Sequence, residues 1–372
     1  MSAVADVLDA SSAPPPPGPG RWQRWRGELF GSPWRAVLTL ALGLLLAWAA
    51  ARALDWGLLH AVFRPDAAAC RAAEHAGACW GVIAEKLRPI LFGRYPYAAQ
   101  WRPAIVTVLL LGLAVASGWP RCWRPALALA WALVLGACGV LLWGGVAGLD
   151  PVPTTRWGGL PLSLLLAIGG LALALPLGVA LALGRRSDMA VLRTLCASYI
   201  EVVRGVPLIS VLFMATFMLP LVLPSGWRTD VLLRVWAAVV LFTAAYLAEV
   251  VRGGLQAVPA AQVEAARALG LGRWQVQRLV VLPLALRKVV PALMNSVIGS
   301  LKDSSLVTVV GLYELTGSLS LALGGDPLWR PFYLEGYLFV AALYWGLCFS
   351  LSRYSLWIEA RLRVDAAGGR RR

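Results

Sequence analysis

Twenty-eight consecutive residues, Trp157 to Gly184, carry no formal charge, and Arg156 and Arg185-Arg186 close the run at its two ends. A helix needs about 20 apolar residues to cross a bilayer, so this run is long enough for one tilted span. In lipid every backbone polar group must be satisfied within the segment, which makes a helix the solution for such a stretch. Seven further apolar runs follow the same logic, near 36–54, 104–119, 126–149, 206–223, 231–251, 292–312 and 336–352. The expected fold class is an all-α polytopic membrane protein with about eight transmembrane helices.

Composition agrees, because only 14% of residues are charged and 59% are hydrophobic, against about 25% charged in a soluble domain. The net charge of +15 raises nucleic acid as a partner. The arginines instead flank apolar runs, as membrane topology requires. With the N-terminal arginines Arg21, Arg24, Arg26 and Arg35 placed inside, the segments 1–35, 120–125, 185–205, 252–290 and 353–372 are all cytoplasmic and Arg-rich. Both termini are then cytoplasmic. The 55–102 loop, expected on the periplasmic side, is the exception in carrying several basic residues. Residues 1–20, with Pro14 to Pro17 in a row, read as a disordered tail. Gly144 and Gly148 form a GxxxG, a weak helix-packing signal.

Between two apolar runs lies a polar island, 252–290, rich in arginine. Pro259 suits the first turn of a short helix, and Gly270 is placed to end it in a left-handed cap. A second helix from Arg273 is expected to stop at Pro283, with Val276, Leu279, Val280 and Pro283 on one face. The two alanines after Glu264 leave room for another surface to approach. A helical hairpin of this kind is a docking knob for a soluble partner.

The spacing resembles the signature loop of the membrane subunits of ATP-binding cassette importers. There Glu-Ala-Ala is followed by three residues and Gly, then nine residues, Ile, any residue and Leu-Pro. Glu264, Ala265, Ala266, Gly270, Leu282 and Pro283 match, with Val280 in place of Ile. The resemblance implies an all-α permease fold and a coupling loop that docks into a cleft of an ATPase subunit.

The likeness extends outward. Arg204-Gly205-Val206-Pro207 resembles the Arg-Gly-Thr-Pro of polar amino-acid permeases, with Val for Thr; the Val puts any hydroxyl-dependent role at that position in doubt. Tyr246, Ala248-Glu249 and Arg252-Gly253-Gly254 match the approach to the loop. Pro291, Asn295, Lys302-Asp303-Ser304-Ser305-Leu306 and Glu314-Leu315 match the segment after it. A five-span permease core is thereby implied over 157–360. The membrane extension 36–156, with Cys79-Trp80 and Gly93-Arg94-Tyr95-Pro96, resembles the extended subunit of the general L-amino acid importer, and 361–372 is a basic tail. The implied partners are a homologous second permease subunit, two copies of an ABC ATPase and a periplasmic amino-acid-binding protein.

No GxxxxGK[ST] occurs, so no catalytic residues are expected here. ATP and Mg belong to the ATPase, and no cofactor or metal is expected on this chain. The alternative is a self-contained secondary transporter or channel with Lys302 and Asp303 as an ion relay, which leaves the loop unexplained. An integral-membrane enzyme lacks a convergent set of His, Asp, Glu or Cys.

Charge within a span marks function by default. Asn295, Lys302, Asp303 and Ser304 are expected to line the translocation path or its gate. The competing reading has Lys302 snorkelling from near the cytoplasmic interface. Glu249 and Arg252 sit near a membrane end, where a structural role is the commoner one. Cys70 and Cys79 fall in the outer loop, where they are either bridged or free thiols.

Overall fold

The structure, a computed structural model, describes residues 20–72, 77–119, 122, 124–224 and 229–368. The Pro-rich tail up to residue 19, His75, Arg121 and residues 369–372 lie outside the described residues. Among the described residues the protein is helical, with two isolated β-bridges and no strand ladder. Among the described residues seven helices are long and apolar enough to cross a membrane, or eight if one bent pair is a single span.

The chain divides into two compact units, residues 1–80 and 81–372. In the first, α1 (Arg21–Phe30) precedes the span α2 (Pro33–Leu59). Ser32 accepts the Arg35 N–H and Pro33 occupies the first turn, so α2 starts on a capped end. Beyond α2 the chain folds back on itself. Ala78 N–H donates to Trp56 O, Val62 N–H donates to Ala78 O, both at 2.8 Å, and Trp80 Nε1 donates to Gly57 O at 2.7 Å. A disulfide joins Cys70, on α3 (Ala67–Ala72), to Cys79, with the Cα atoms 5.4 Å apart. His60 Nδ1 lies 3.0 Å from Asp55, and no metal-binding group of His, Cys, Asp or Glu occurs among the described residues.

The second unit holds α4 (Gly81–Phe92), α5 (Tyr97–Ser117), α6 (Pro125–Trp143), α7 (Gly159–Arg185), α8 (Ala190–Gly205) and α9 (Leu208–Val222). After these come α10 (Val231–Gln256), α11 (Ala260–Ala268), α12 (Arg273–Val310), α13 (Leu315–Gly324) and α14 (Tyr333–Gly368). Its centre is the pair α7 and α10, which pack through small residues. A Cβ on Gly178 would stand 2.8 Å from Leu247 Cβ and 3.1 Å from Ala244 O. Lipid offers no hydrophobic drive for helix pairing, so such close backbone approach supplies the attraction. α12 lies along α10, and α14 along α12.

Several expectations are corrected. Gly144 and Gly148 do not pack helices, because α6 ends at Trp143 and both glycines have positive φ, 71° and 75°, in the turn beyond it. The span expected near 206–223 is the short α9, which meets the amphipathic α8 at 104°. Pro207 caps α9 at that bend. Inside α10, Arg234 Nη1 donates to Thr216 O at 2.8 Å, where a π turn interrupts α9. Segment 313–335, between two of the expected spans, contains α13, whose Leu315, Leu319 and Leu323 are fully buried. Lys86 of α4 reaches across to Asp326, just beyond α13, at 2.7 Å.

Candidate functional site

The hairpin between α10 and α12 is built from the signals in its sequence. Pro259 is the N-cap of α11, and Gly270 N–H closes back on Arg267 O at 2.9 Å with φ at +83°. Only glycine adopts that conformation without cost. Gly272 N–H is capped by Gln275 Oε1 at 2.9 Å as α12 begins.

Pro283 does not stop the second helix. A π turn over Val276–Val281 precedes it, and α12 continues without a break to Val310. The wider turn removes the i−4 carbonyl clash that a proline otherwise imposes. It also rotates the helix face. Val276, Val281 and Ala285 are buried, whereas Leu279 is 61% exposed and Pro283 is exposed, so the stripe expected through Val276, Leu279, Val280 and Pro283 does not form.

Ala266, Val276, Val281 and Ala285 anchor the hairpin on Val251 and Leu255 of α10 and Ile200 of α8. Outward it presents Glu264, Ala265, Arg267, Leu269, Trp274 and Arg278, with Leu269 82% exposed. Val280 and Leu282 are half-buried at its root.

Under the hairpin the charged residues converge. Glu249 on α10 accepts from Arg185 of α7 at 2.6 Å and from Arg252 Nε at 2.9 Å, with Arg204 of α8 at 3.9 Å. Arg185 also holds Glu201 of α8 at 2.8 Å, and the Arg204 guanidinium lies 5.5 Å from the Tyr246 ring centre. Arg185, Arg204, Glu249 and Arg252 therefore tie three helices at the base of the hairpin. Gly205 ends α8 at the bend, and Gly253 is exposed. The glycine that matters for packing is Gly254, where a Cβ would meet Ala285 O at 2.8 Å.

Asn295, Lys302, Asp303 and Ser304 lie further along α12. Continuity of the helix puts Lys302 about 21 Å beyond Lys288 at ~1.5 Å per residue. Lys302 lines a cavity of about 460 Å³ together with Ser305, Thr316, Tyr337, Tyr344 and Trp345. Asp303 is exposed but outside the lining, and it forms no ion pair with Lys302 among the described residues. Asn295 is exposed a further two turns down. Ser304 is buried, its hydroxyl donating to Leu301 O at 2.7 Å. Only Lys302 of the four faces the cavity.

Behind the cavity sits a carboxylate whose role the sequence concealed. Glu314 is fully buried and caps α13, accepting from Thr316 and Gly317 N–H at 2.9 and 3.0 Å. Thr308 Oγ1, Ser163 Oγ and Tyr344 OH donate to it at 2.9, 3.2 and 2.7 Å. These donors come from α7, α12, α13 and α14. The match of Glu314-Leu315 to the family's segment after the loop was the available signal.

Residues 174–364 match the family described as binding-protein-dependent transport system inner membrane component. The chain belongs to this family. It is the permease component of an ATP-binding cassette importer, a multi-pass inner membrane protein, and ATP hydrolysis belongs to a separate chain of such systems. The permease is 43% identical over 346 residues to the inner membrane amino-acid ABC transporter permease protein YhdY of Escherichia coli, covering 91% of this chain and 92% of that one. It is 36% identical over 436 residues to the glutamate/glutamine/aspartate/asparagine transport system permease protein BztC of Rhodobacter capsulatus, covering 98% and 100%. The glutamine transport system permease protein GlnP of Escherichia coli is shorter; at 32% identity the match covers 55% of this chain and 92% of GlnP. The permease thus shares its N-terminal extension with the two longer relatives.

Proposed function

We propose that this permease carries amino acids inward, and that its 252–290 hairpin couples the movement to ATP hydrolysis. The exposed hairpin carries the reading: a short helix with Glu264 and Ala265 facing out, closed at Gly270 and seated on α10 and α8. The names of the relatives support amino acids as the cargo.

In this reading the permease pairs with a homologous membrane subunit rather than a copy of itself. Two ATPase copies dock on the hairpins and supply ATP and Mg, while a periplasmic amino-acid-binding protein delivers substrate from outside. Both termini are cytoplasmic. The domains are the tail 1–35, the extension 36–156, the core 157–360 and the tail 361–372. Arg204, Gly205, Pro207, Glu249, Arg252 and Gly253 shape the base of the hairpin. Asn295, Lys302, Asp303 and Ser304 belong to the segment that moves with it, and Lys302 reaches the path.

The test is co-purification followed by uptake into liposomes. The permease should bring down an ATPase and a second membrane subunit, and amino-acid uptake should require ATP. Uptake by the permease alone, driven by an ion gradient, would establish the secondary-transporter alternative instead.

A further inference from the structure

The first helix of the permease carries an aromatic face that no described residue covers. On α1, Trp22, Trp25 and Leu29 fall at i, i+3 and i+7, one face of a helix. Trp22 is 78% and Trp25 64% exposed, and Leu29 and Phe30 are exposed with them. Arginine flanks this face in register, Arg21 and Arg24 along one edge and Arg26 along the other. Against these three and Arg35, the segment 20–35 holds one carboxylate, Glu28.

α1 is tied to α2 at a defined level. The Thr39 hydroxyl donates to Leu29 O at 2.9 Å, so the last turn of α1 lies beside Thr39, beyond Arg35. From Ala36 to Ala51 the span carries no charge. α1 thus meets α2 where the chain passes from charged to apolar, which is where a bilayer passes from headgroups to hydrocarbon. Trp34, in the first turn of α2 and 73% exposed, is a residue type that concentrates at that boundary.

Indoles on one face with arginines at its edges, a few residues from a span, match a helix lying in the membrane interface. The rings sit among the upper acyl chains and the guanidiniums reach phosphate oxygens. We propose that α1 lies on the bilayer surface and binds anionic phospholipid through Arg21, Arg24 and Arg26, as a second anchor of the N-terminal extension beside α2. The cytoplasmic leaflet, on which the N-terminus is placed above, carries the negative surface potential.

Amide hydrogen exchange over residues 21–30 is followed by mass spectrometry on the full-length permease in nanodiscs. The discs hold phosphatidylcholine alone or with phosphatidylglycerol. Exchange should be about tenfold or more slower with phosphatidylglycerol, and added salt should remove most of the difference by screening. Arg26→Gln should cost about fivefold of that protection, the equivalent of ~1 kcal/mol for one basic residue at an anionic surface. Glu28→Gln should add to it, and Trp22→Ala with Trp25→Ala should weaken protection in both lipids. The lipid and salt comparisons on wild type hold even where an arginine variant fails to insert.

Equal exchange in the two lipids overturns the proposal, as does phosphatidylglycerol protection that neither salt nor Arg26→Gln reduces. So does protection that arises only when the ATPase or a second membrane subunit is added, which would assign the aromatic face to a protein.

Discussion

Arg185 and Glu249 meet at 2.6 Å across the junction of α7 and α10, and the same carboxylate holds Arg252 at 2.8–3.1 Å. One acid thus bridges three arginines under the hairpin. Glu249→Ala leaves those cations facing one another in a half-buried site. The expected loss is about 1–3 kcal/mol, less than for a fully buried pair because the arginines are partly solvated. Thermal unfolding of the purified permease in detergent should show a lowered Tm, and Glu249→Asp should lie between.

Gly159 faces a harder constraint. Its φ is +67°, and a Cβ there would stand 2.0 Å from Leu91 O. Backbone has to move to admit alanine, so Gly159→Ala should destabilise the α4–α7–α13 end by about 3 kcal/mol or more. Gly112→Ala, in a helix and with nothing within 4 Å of its Cβ, should be neutral or slightly stabilising. Equal behaviour of the two variants in thermal unfolding would contradict the packing described.

The Lys86–Asp326 pair makes its end of the bundle acid-sensitive. The hydrogen bond from Lys86 holds the Asp326 carboxyl below the usual aspartate range. A depressed carboxyl adds stability above its unfolded pKa, about 3.9, and loses it as pH falls through the lower folded value. Tm measured from pH 6 to pH 3 should therefore fall less steeply for Asp326→Asn than for the wild type. Parallel curves would remove the pair from the account.

How much was legible follows from how local each cause is. The spans are read from apolar length alone, and the start and end of α11 from Pro259 and Gly270, because each depends on one residue's backbone chemistry. α13 escapes such a reading since ten residues are too few to cross a bilayer. The π turn before Pro283 answers to what Val276 and Val281 pack against, which no spacing encodes. Glu314 gathers donors from residues 163, 308, 316, 317 and 344, so its role emerges only when four helices are assembled. Lys302 shows in the sequence as a charge in a span, but its cavity needs α14.

Coupling through the hairpin is the central claim, and Gly270→Asp tests it most directly. A Cβ at Gly270 meets nothing within 4 Å, so a side chain leaves the backbone there into open space. The substitution adds a left-handed backbone penalty of about 1–2 kcal/mol and places a carboxylate on the outward face. The measurement is ATP-driven amino-acid uptake into liposomes holding the whole importer, with membrane insertion of the permease scored separately. The account predicts an inserted permease and no ATP-driven uptake, with Gly270→Asn, which tolerates the left-handed conformation, retaining more. Wild-type uptake by an inserted Gly270→Asp permease would contradict it.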